Sequence, residues 1–257
     1  MAAAPDIIIW PEAAAPGILG EDTAIFERIF SLSRKIKTPL LLGAVVRESD
    51  KYFNSALMLD SDARVIRRYD KLHLVPFGEY IPLKKVFPFL ETVVPIGDIE
   101  RGRYFTLFPA SSAVSKPSVN FGVLICFEDL FPELSRQFRL LGADFLVNIT
   151  NDAWYKKSSA PYQHLQASVF RSVENRLYLA RSANTGISGF IAPSGRIIAE
   201  VSDSNGRIIF VQGFKTETIA AAAGEKLTFY SRFGDVFVIL CILFTFCGII
   251  PLLKKRR

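Results

Sequence analysis

The chain has 257 residues, half of them hydrophobic and 22% charged, so it can bury a substantial core and is too apolar to be intrinsically disordered. The formal net charge is +6, but the last four residues, Lys254 to Arg257, are all basic, and the rest of the chain is close to neutral. A nucleic-acid partner would need a basic face on the domain itself, so the composition argues against one.

The first half of the chain alternates short apolar runs with one amphipathic segment. Asp6 to Trp10 predicts a buried strand that Pro11 ends, and Glu21 to Lys37 has apolar residues at helical spacing. The stretches "PLLLGAVV" and "NSALMLD" predict two further strands. Residues 84–118 are rich in proline, and we expect them to be irregular.

The second half repeats the alternation. "VNFGVLICFED" and "ADFLVNITND" predict strands on either side of a helix, "LFPELSRQFRLLG", which Gly142 stops. Residues 163–180 have the pattern of an amphipathic helix, and two more predicted strands follow, "RSANTGISGFIAP" and "IIFVQGF". Strands that alternate with helices predict an α/β fold of packed layers.

Residues 236–253 form an apolar segment without a charged side chain. As a helix this segment would be about 27 Å long, close to the roughly 30 Å of a bilayer core, and a buried core helix would rarely lack any polar face. We therefore predict a folded domain over 1–227, the candidate catalytic domain once its polar motifs are considered below, and a transmembrane anchor over 228–257, whose basic tail lies in the cytoplasm. The N-terminus lacks the basic and apolar regions of a signal peptide. Either the topology is reversed, or a membrane portion upstream of this chain is missing.

Cys126 is the only one of the three cysteines outside the apolar C-terminal segment, because the others are Cys241 and Cys247. An internal disulfide in the domain is therefore not expected. Two histidines and one available cysteine also make a zinc site improbable, so we expect neither a metal nor another cofactor.

Glu12, Lys71 and Cys126 each follow a predicted strand or a charged turn, where reactive groups of α/β proteins gather. Taken singly, each has an ordinary explanation: an exposed strand terminus, a surface cation and a core filler. Together they supply a chemistry. A carboxylate can deprotonate a thiol, and an ammonium group can stabilise the oxyanion that forms when the thiol attacks an acyl carbon. A helix that begins after Cys126 would add N–H donors.

These residues lie in motifs that resemble the nitrilase superfamily, with its Glu–Lys–Cys triad in an αββα sandwich. Within that superfamily, the sequence from about residue 5 to 253 is most similar to the catalytic domain of the apolipoprotein N-acyltransferase family. The motifs are "WPE", "YDKLHLVPFGEYIP", "CFED", "NITNDAWY", "APYQHLQ", "RSANTGISG" and "FYSRFGD".

The resemblance implies that Glu12 is the general base, that Lys71 supports the tetrahedral intermediates and that Cys126 carries the acyl group. It also implies that Glu79 and Glu128 are supporting carboxylates. The sequence departs from the family at Phe127, where a tyrosine is common. Trp154 is expected to be a pocket wall or an interfacial anchor, with a core position equally open, and His164 is expected to be structural.

The resemblance further implies a phospholipid acyl donor, a thioester intermediate and a diacylglyceryl apolipoprotein as acceptor, without a cofactor. It implies the bacterial inner membrane, multi-pass in the full-length family, with the catalytic domain on the periplasmic side. The family's first strand and its N-terminal membrane region have no counterpart here. Residues 80–95 could dip into lipid headgroups or fold onto the protein's own core. Two alternatives stay open: a nitrilase-type amidase that acts on a small amide, and a truncated, inactive membrane-bound remnant that acts only as a binding module.

Overall fold

The computed structural model describes residues 4–82, 99–110, 119–222 and 224–254, with side chains described up to residue 247. Its strands are β1 (Ile8–Ile9), β2 (Ile18–Leu19), β3 (Leu40–Glu48), β4 (Lys51–Leu59), β5 (Val65–Asp70), β6 (Leu107–Ala110), β7 (Val119–Ile125), β8 (Phe145–Asn151), β9 (Leu179–Asn184), β10 (Gly189–Ile191) and β11 (Ile197–Glu200). Its α-helices are α1 (Thr23–Ile36), α2 (Pro132–Leu140), α3 (Ala160–Asn175), α4 (Phe229–Phe233) and α5 (Val236–Lys254), and two 3-10 turns cover Cys126–Leu130 and Asp152–Tyr155.

The strands form two sheets. In the first, the order is β1-β3-β4-β5, with β2 also paired to β3, and β1 lies at its edge. In the second, the order is β11-β10-β9-β8-β7-β6. The central pairs β7–β8 and β8–β9 are parallel, so the C-terminal ends of these three strands lie at one edge of the sheet.

Alternation along β3 and β4 divides the first sheet into two apolar faces. Leu41 and Met58 join the core that the second sheet also lines, whereas Leu40 and Leu57 face the opposite side. That opposite side is covered by the apolar residues of α1, including Phe26. The first sheet is therefore sandwiched between a helix and the other sheet.

The second sheet has α2 and α3 packed against it. Phe138 of α2 and Leu165 of α3 are buried in the same core as Phe121 of β7 and Ile149 of β8. The order of layers is helix, sheet, sheet, helices, so the predicted αββα sandwich is confirmed for the described residues. Its facing sheets bring the ends of β1, β5 and β7 together.

Five local predictions were wrong. The predicted strand 181–193 is instead parts of two antiparallel strands, β9 and β10, which residues 185–188 separate. Residues 208–214 are not a strand, whereas β6 lies inside the stretch that was predicted to be irregular. The strand before Cys126 ends at Ile125, because the "CFED" segment turns into a 3-10 helix. Helix α3 ends at Asn175 rather than near 180, since Arg176 adopts a left-handed conformation with φ 52°.

The C-terminal segment is helical, as α5, and its described side chains from Phe237 to Phe246 expose apolar surface. Within the described ranges, however, no helix combines the length and apolarity that crossing a membrane requires. The prediction of a transmembrane anchor is therefore not supported by the structure. The part of the predicted lipid-facing loop from 83 to 95 lies outside the described residues.

Candidate active site

The chain segment that carries Glu12 is held against β3 by backbone hydrogen bonds. The N–H of Trp10 donates to Leu41 O at 2.8 Å, and the N–H of Gly43 donates to Pro11 O at 3.2 Å. Position 43 has room only for glycine, because a Cβ there would lie 2.5 Å from the Cα of Glu12. Strand β3 thus sets the position of the Glu12 backbone.

The Glu12 side chain is buried and each of its oxygens has a partner. Oε1 accepts a hydrogen bond from Asn54 Nδ2 at 2.7 Å and lies 3.4 Å from Lys71 Nζ. Oε2 accepts from the backbone N–H of Asn151 at 2.8 Å. These contacts connect the end of β1 to residues from both sheets.

Lys71 follows β5 and is 1% exposed, so its ammonium group is removed from water. Its Nζ lies 2.9 Å from Glu79 Oε2 and 3.4 Å from Glu12 Oε1. Burial lowers the pKa of Lys71, but the charges of Glu12, Cys126 and Glu79 outweigh burial and raise that pKa above its ordinary value. Lys71 is therefore a fixed cation between carboxylates.

Cys126 lies where β7 ends and the 3-10 turn begins, with a left-handed φ of 51°. This conformation costs a non-glycine residue about 1–2 kcal/mol. Burial raises the pKa of the thiol to about 12, and Glu12 also raises it, whereas Lys71 and hydrogen bonds from Thr150 and the Asn151 N–H lower it. The resting group is a neutral thiol that needs a base.

Glu128 is fully buried and clamps the Cys126 turn to the Lys71 segment. Oε1 accepts from the N–H groups of Leu72 and His73 at 2.6 and 3.1 Å, and Oε2 accepts from the N–H of Ile125 at 2.8 Å. Glu128 thus joins the two segments through hydrogen bonds from their backbone N–H groups.

Burial also changes the acidity of the Glu128 carboxyl group. It raises the pKa of Glu128 to about 7, while the backbone hydrogen bonds from Ile125 and His73 lower that pKa.

Glu79 and Glu128 differ in their contacts with the Lys71 segment. Glu79 forms an ion pair with the ammonium group and also accepts from the N–H of Val75 at 2.8 Å. The described contacts of Glu128 are instead with backbone N–H groups, of Ile125 and of the residues that follow Lys71, and with the hydroxyl of Tyr69 at 2.9 and 3.0 Å. Both carboxylates therefore lie beside the predicted triad.

The other predicted residues lie farther from these contacts. Phe127 is half-buried, and the edge of its ring packs against Phe131 with centroids 5.2 Å apart. Trp154 is 84% exposed, so the alternative of a core tryptophan was wrong. His164 is buried, and its Nδ1 pairs with Asp152 Oδ1 at 3.1 Å.

Several groups in the site were not found by sequence reasoning. Asn54 bridges the two carboxylates, since its Nδ2 donates at 2.7 Å to Glu12 and at 2.7 Å to Glu79. Its position as a polar side chain at the start of the apolar "NSALMLD" run could have indicated a role for Asn54. The contribution of the Asn151 N–H had no signal, because any residue type offers a backbone donor.

The arrangement provides a thiol, a carboxylate and a buried ammonium whose charges act on one another. This set can perform acyl transfer, with a base, a nucleophile and an oxyanion partner. Across the described part of the chain, no three side chains of His, Cys, Asp or Glu are grouped as a metal site would require.

Comparison with known proteins finds two kinds of similarity. Residues 2–220 match the family model of carbon-nitrogen hydrolases. An apolipoprotein N-acyltransferase of Geobacter metallireducens is 42% identical over 92% of this chain and 44% of its own length, and one of Rickettsia typhi is 33% identical over 93% and 46%. The chain thus spans about half the length of these curated relatives.

Solved structures are similar in fold. A carbon-nitrogen hydrolase from Helicobacter pylori matches with a TM-score of 0.56 and 17% identity, over 76% of this chain and 73% of that one. An amidase from Nesterenkonia sp. matches with a TM-score of 0.55 and 19% identity, over the same shares. These similarities support the sandwich fold.

Proposed function

Because the chain belongs to the carbon-nitrogen hydrolase family, we propose that it is the catalytic part of an apolipoprotein N-acyltransferase. In this proposal residues 1–227 form the catalytic domain. The names of the curated relatives support the acyltransferase reading over an amidase, because those relatives match nearly the whole chain at 33–42% identity.

The observation that carries the proposal is the buried contact between Glu12 and Lys71 beside Cys126. The N–H of Asn151 donates to Glu12 Oε2, and the charges of Glu12 and Lys71 both act on the Cys126 thiol. A thiol with a pKa of about 12 requires a base at its side, and Glu12 is the carboxylate in that position.

In the first half-reaction, the Cys126 sulfur attacks the ester carbonyl carbon of a phospholipid while Glu12 takes the thiol proton. The carbonyl oxygen becomes an oxyanion, and the Lys71 ammonium stabilises it. When the intermediate collapses, the C–O ester bond breaks and Glu12 returns the proton to the leaving oxygen. The products are a thioester on Cys126 and a lysophospholipid.

In the second half-reaction, the α-amino group of a diacylglyceryl-cysteine apolipoprotein attacks the thioester. Glu12 takes a proton from the amine, the C–S bond breaks, and the proton passes to the sulfur, which restores the thiol. An amide is more stable than a thioester, so the transfer needs no further energy source.

The membrane location is also part of the proposal. We infer that 228–257 anchors the domain, since residues 236–253 carry no charge and the described side chains of α5 are exposed and apolar. By this inference the basic tail lies in the cytoplasm. The domain then faces the periplasm at the bacterial inner membrane, and a membrane portion outside this chain completes the enzyme.

The predicted contributions of Phe127 and Trp154 belong to the same proposal. The ring of Phe127 next to Cys126 would line the acyl pocket without the hydroxyl donor of a tyrosine. Trp154 follows β8 at the edge where Cys126 follows β7, and its exposed indole would sit at the lipid interface.

The proposal is tested by incubating the full chain in mixed micelles of detergent and phosphatidylethanolamine and measuring its intact mass. We expect a mass increase of one acyl chain, which disappears in Cys126→Ala and persists in the matched control Cys241→Ala. Addition of a diacylglyceryl-cysteine peptide should then discharge the adduct. Ammonia release from small amides without any lipid adduct would overturn the proposal in favour of an amidase.

A further inference from the structure

A buried polar network lies behind Cys126, and the mechanism above does not use it. Its members are Asn148, Thr150, Asp152, His164 and Arg181, all at most 5% exposed, and we call them the Arg181 network. Arg181 is at its centre: Nη1 donates to Asn148 Oδ1 at 2.6 Å and to Asp129 Oδ2 at 2.8 Å, and Nη2 contacts Asp152 Oδ2 at 3.4 Å. Buried charges of this kind are retained only where they are paired.

Thr150 is the member of the network that lies beside the thiol. Strands β7 and β8 are parallel, with Ile125 paired to Ile149, so the residues that follow each of these, Cys126 and Thr150, are neighbours. The Thr150 hydroxyl donates to Asp152 Oδ1 at 3.2 Å. A hydroxyl has one proton but two lone pairs, so it can donate in only one direction at a time.

The acceptor of that hydrogen bond is held in place from two sides. Asp152 Oδ1 also contacts His164 Nδ1 at 3.1 Å, and Oδ2 contacts Arg181. Burial raises the pKa of Asp152, but the hydrogen bond from His164 and the charge of Arg181 outweigh burial and hold that pKa below its ordinary value. Asp152 is thus a fixed, ionised acceptor for the Thr150 hydroxyl.

We propose that Thr150 is a positioning residue whose hydroxyl turns between Asp152 and the Cys126 sulfur during the reaction. When the sulfur is a thiol, the hydroxyl donates to Asp152. When Glu12 removes the thiol proton, the hydroxyl rotates about its C–O bond and donates to the thiolate. The bond that breaks is S–H and the bond that forms is O–H on Glu12, while Thr150 keeps its own proton throughout.

This inference rests on the proposed function, since it assigns Thr150 a part in the same acyl transfer. A hydrogen bond from the Thr150 hydroxyl to the sulfur favours the thiolate and so lowers the pKa of the Cys126 thiol. The titratable groups that act on the same pair are Glu12, Lys71, Tyr155 and Asp152. Of these groups, only Lys71 lowers the pKa of the thiol by its charge. A hydrogen bond from the Thr150 hydroxyl to the thiolate would therefore add to the stabilisation that Lys71 provides.

The test distinguishes the effect of the Thr150 hydroxyl group from the effect of the side chain's shape. Thr150→Val keeps the branched shape and loses the hydroxyl, whereas Thr150→Ser keeps the hydroxyl and loses the methyl group. The measurement is the rate at which iodoacetamide alkylates Cys126 in the full chain in detergent at pH 9, quantified on the Cys126 peptide by mass spectrometry. Peptide-level detection excludes Cys241 and Cys247.

We expect Thr150→Val to alkylate about 10- to 100-fold more slowly than the wild type, because a hydrogen bond to a charged group is lost. Thr150→Ser should alkylate within a few-fold of the wild type. The opposite order, with Val unaffected and Ser slow, would show a packing role and overturn the proposal. Equal rates for all three chains would overturn it as well.

Thr150→Ala serves if the valine variant does not fold, which its thermal unfolding curve would show. An alanine rate equal to that of the wild type then overturns the proposal. Alkylation needs no lipid, so failure of this inference is distinct from failure of the acyltransferase proposal. A chain that forms no lipid adduct but shows the expected order of alkylation rates would disprove only the acyltransferase.

Discussion

At the scale of single residues, two carboxylates share one buried ammonium group. Glu79 Oε2 lies 2.9 Å from Lys71 Nζ, closer than Glu12 Oε1 at 3.4 Å, and Asn54 donates to both acids. Glu79 therefore forms the shorter ion pair with the lysine. Glu12 remains the acid that can accept a proton from the thiol, because the Asn151 N–H holds it at that side.

The charge of Glu12 predicts opposite effects on chemical reactivity and on catalysis. Because this charge raises the pKa of the Cys126 thiol, Glu12→Gln should lower that pKa and speed alkylation at pH 8. The same variant should lose acyl transfer by roughly 100-fold or more, since the proposed general base is gone. Alkylation by iodoacetamide and lipid-adduct formation measure the two effects.

Glu27→Gln is the control for this prediction, because Glu27 is exposed on α1 and should change neither rate. Slower alkylation in Glu12→Gln would contradict the electrostatic effect assigned to Glu12.

Strand ends and the resemblance to the nitrilase superfamily singled out Glu12, Lys71 and Cys126 in the sequence. The structure places Glu12 and Lys71 3.4 Å apart, and the catalytic roles of the three residues stay predictions. The donor of Asn54 and the clamp formed by Glu128 could not be placed, since both depend on distances across the two sheets. Asn54 and Glu79 are 25 positions apart, yet their side chains are bonded at 2.7 Å. Local patterns do not encode such pairings.

At the scale of elements, β3 packs directly against the segment that carries Glu12 and holds its backbone in place. The N–H of Gly43 donates to Pro11 O, and the C=O of Gly43 accepts from Ala15 at 3.4 Å. A side chain at position 43 would meet backbone atoms of Glu12 and Ala13 at 2.5 and 2.8 Å, which cannot move as a side chain can. Strand β3 thus requires glycine there.

Gly43→Ala should therefore displace the Glu12 segment. We expect the free energy of unfolding to fall by about 1–3 kcal/mol, as for an overpacked core, and acyl transfer to fall further than stability alone explains. Urea unfolding followed by tryptophan fluorescence measures the first effect, and lipid-adduct formation measures the second.

Gly213→Ala is the matched control, since its added Cβ would meet a side-chain methyl of Val201 at 2.8 Å rather than backbone. Full transfer by a folded Gly43→Ala variant would show that the Glu12 backbone tolerates the displacement.

The elements themselves were predictable wherever apolar periodicity was strong, as in α1, β3 and β7. The short strand β6 was missed because four residues that include Pro109 give too brief a pattern. Residues 208–214 have the composition of a strand, but the second sheet ends at β11 within the described residues. The composition of a segment does not show whether a strand of the sheet has an unpaired edge with which the segment could pair.

At the scale of the whole molecule, hydrogen bonds hold the segment before α5 against the αββα sandwich. The Thr228 hydroxyl donates to Glu174 O at 2.6 Å, Ser231 Oγ donates to Asn175 Oδ1 at 3.0 Å, and Arg136 Nε donates to Tyr230 O at 3.2 Å. Helix α4 is thereby held on α2 and α3. The start of α5 has a defined position relative to the active site.

A membrane role for α5 predicts that a charge in its middle weakens binding to lipid. Leu243 is 55% exposed, so Leu243→Lys should leave the folded domain intact. We expect its partition into phosphatidylethanolamine–phosphatidylglycerol vesicles to fall by about 100-fold, because a lysine at the centre of a membrane helix costs roughly 3 kcal/mol. Vesicle flotation of the full chain measures the partition.

Val65→Lys is the matched control for this last prediction, since Val65 is similarly exposed, at 44%, but lies on β5 of the domain. It should float with the vesicles as the wild type does. Equal flotation of Leu243→Lys and the wild type would mean that α5 does not enter the lipid. Since α4 is fastened to α2 and α3, membrane attachment would then depend on the domain surface, and the active site would have to reach its phospholipid without a helical anchor.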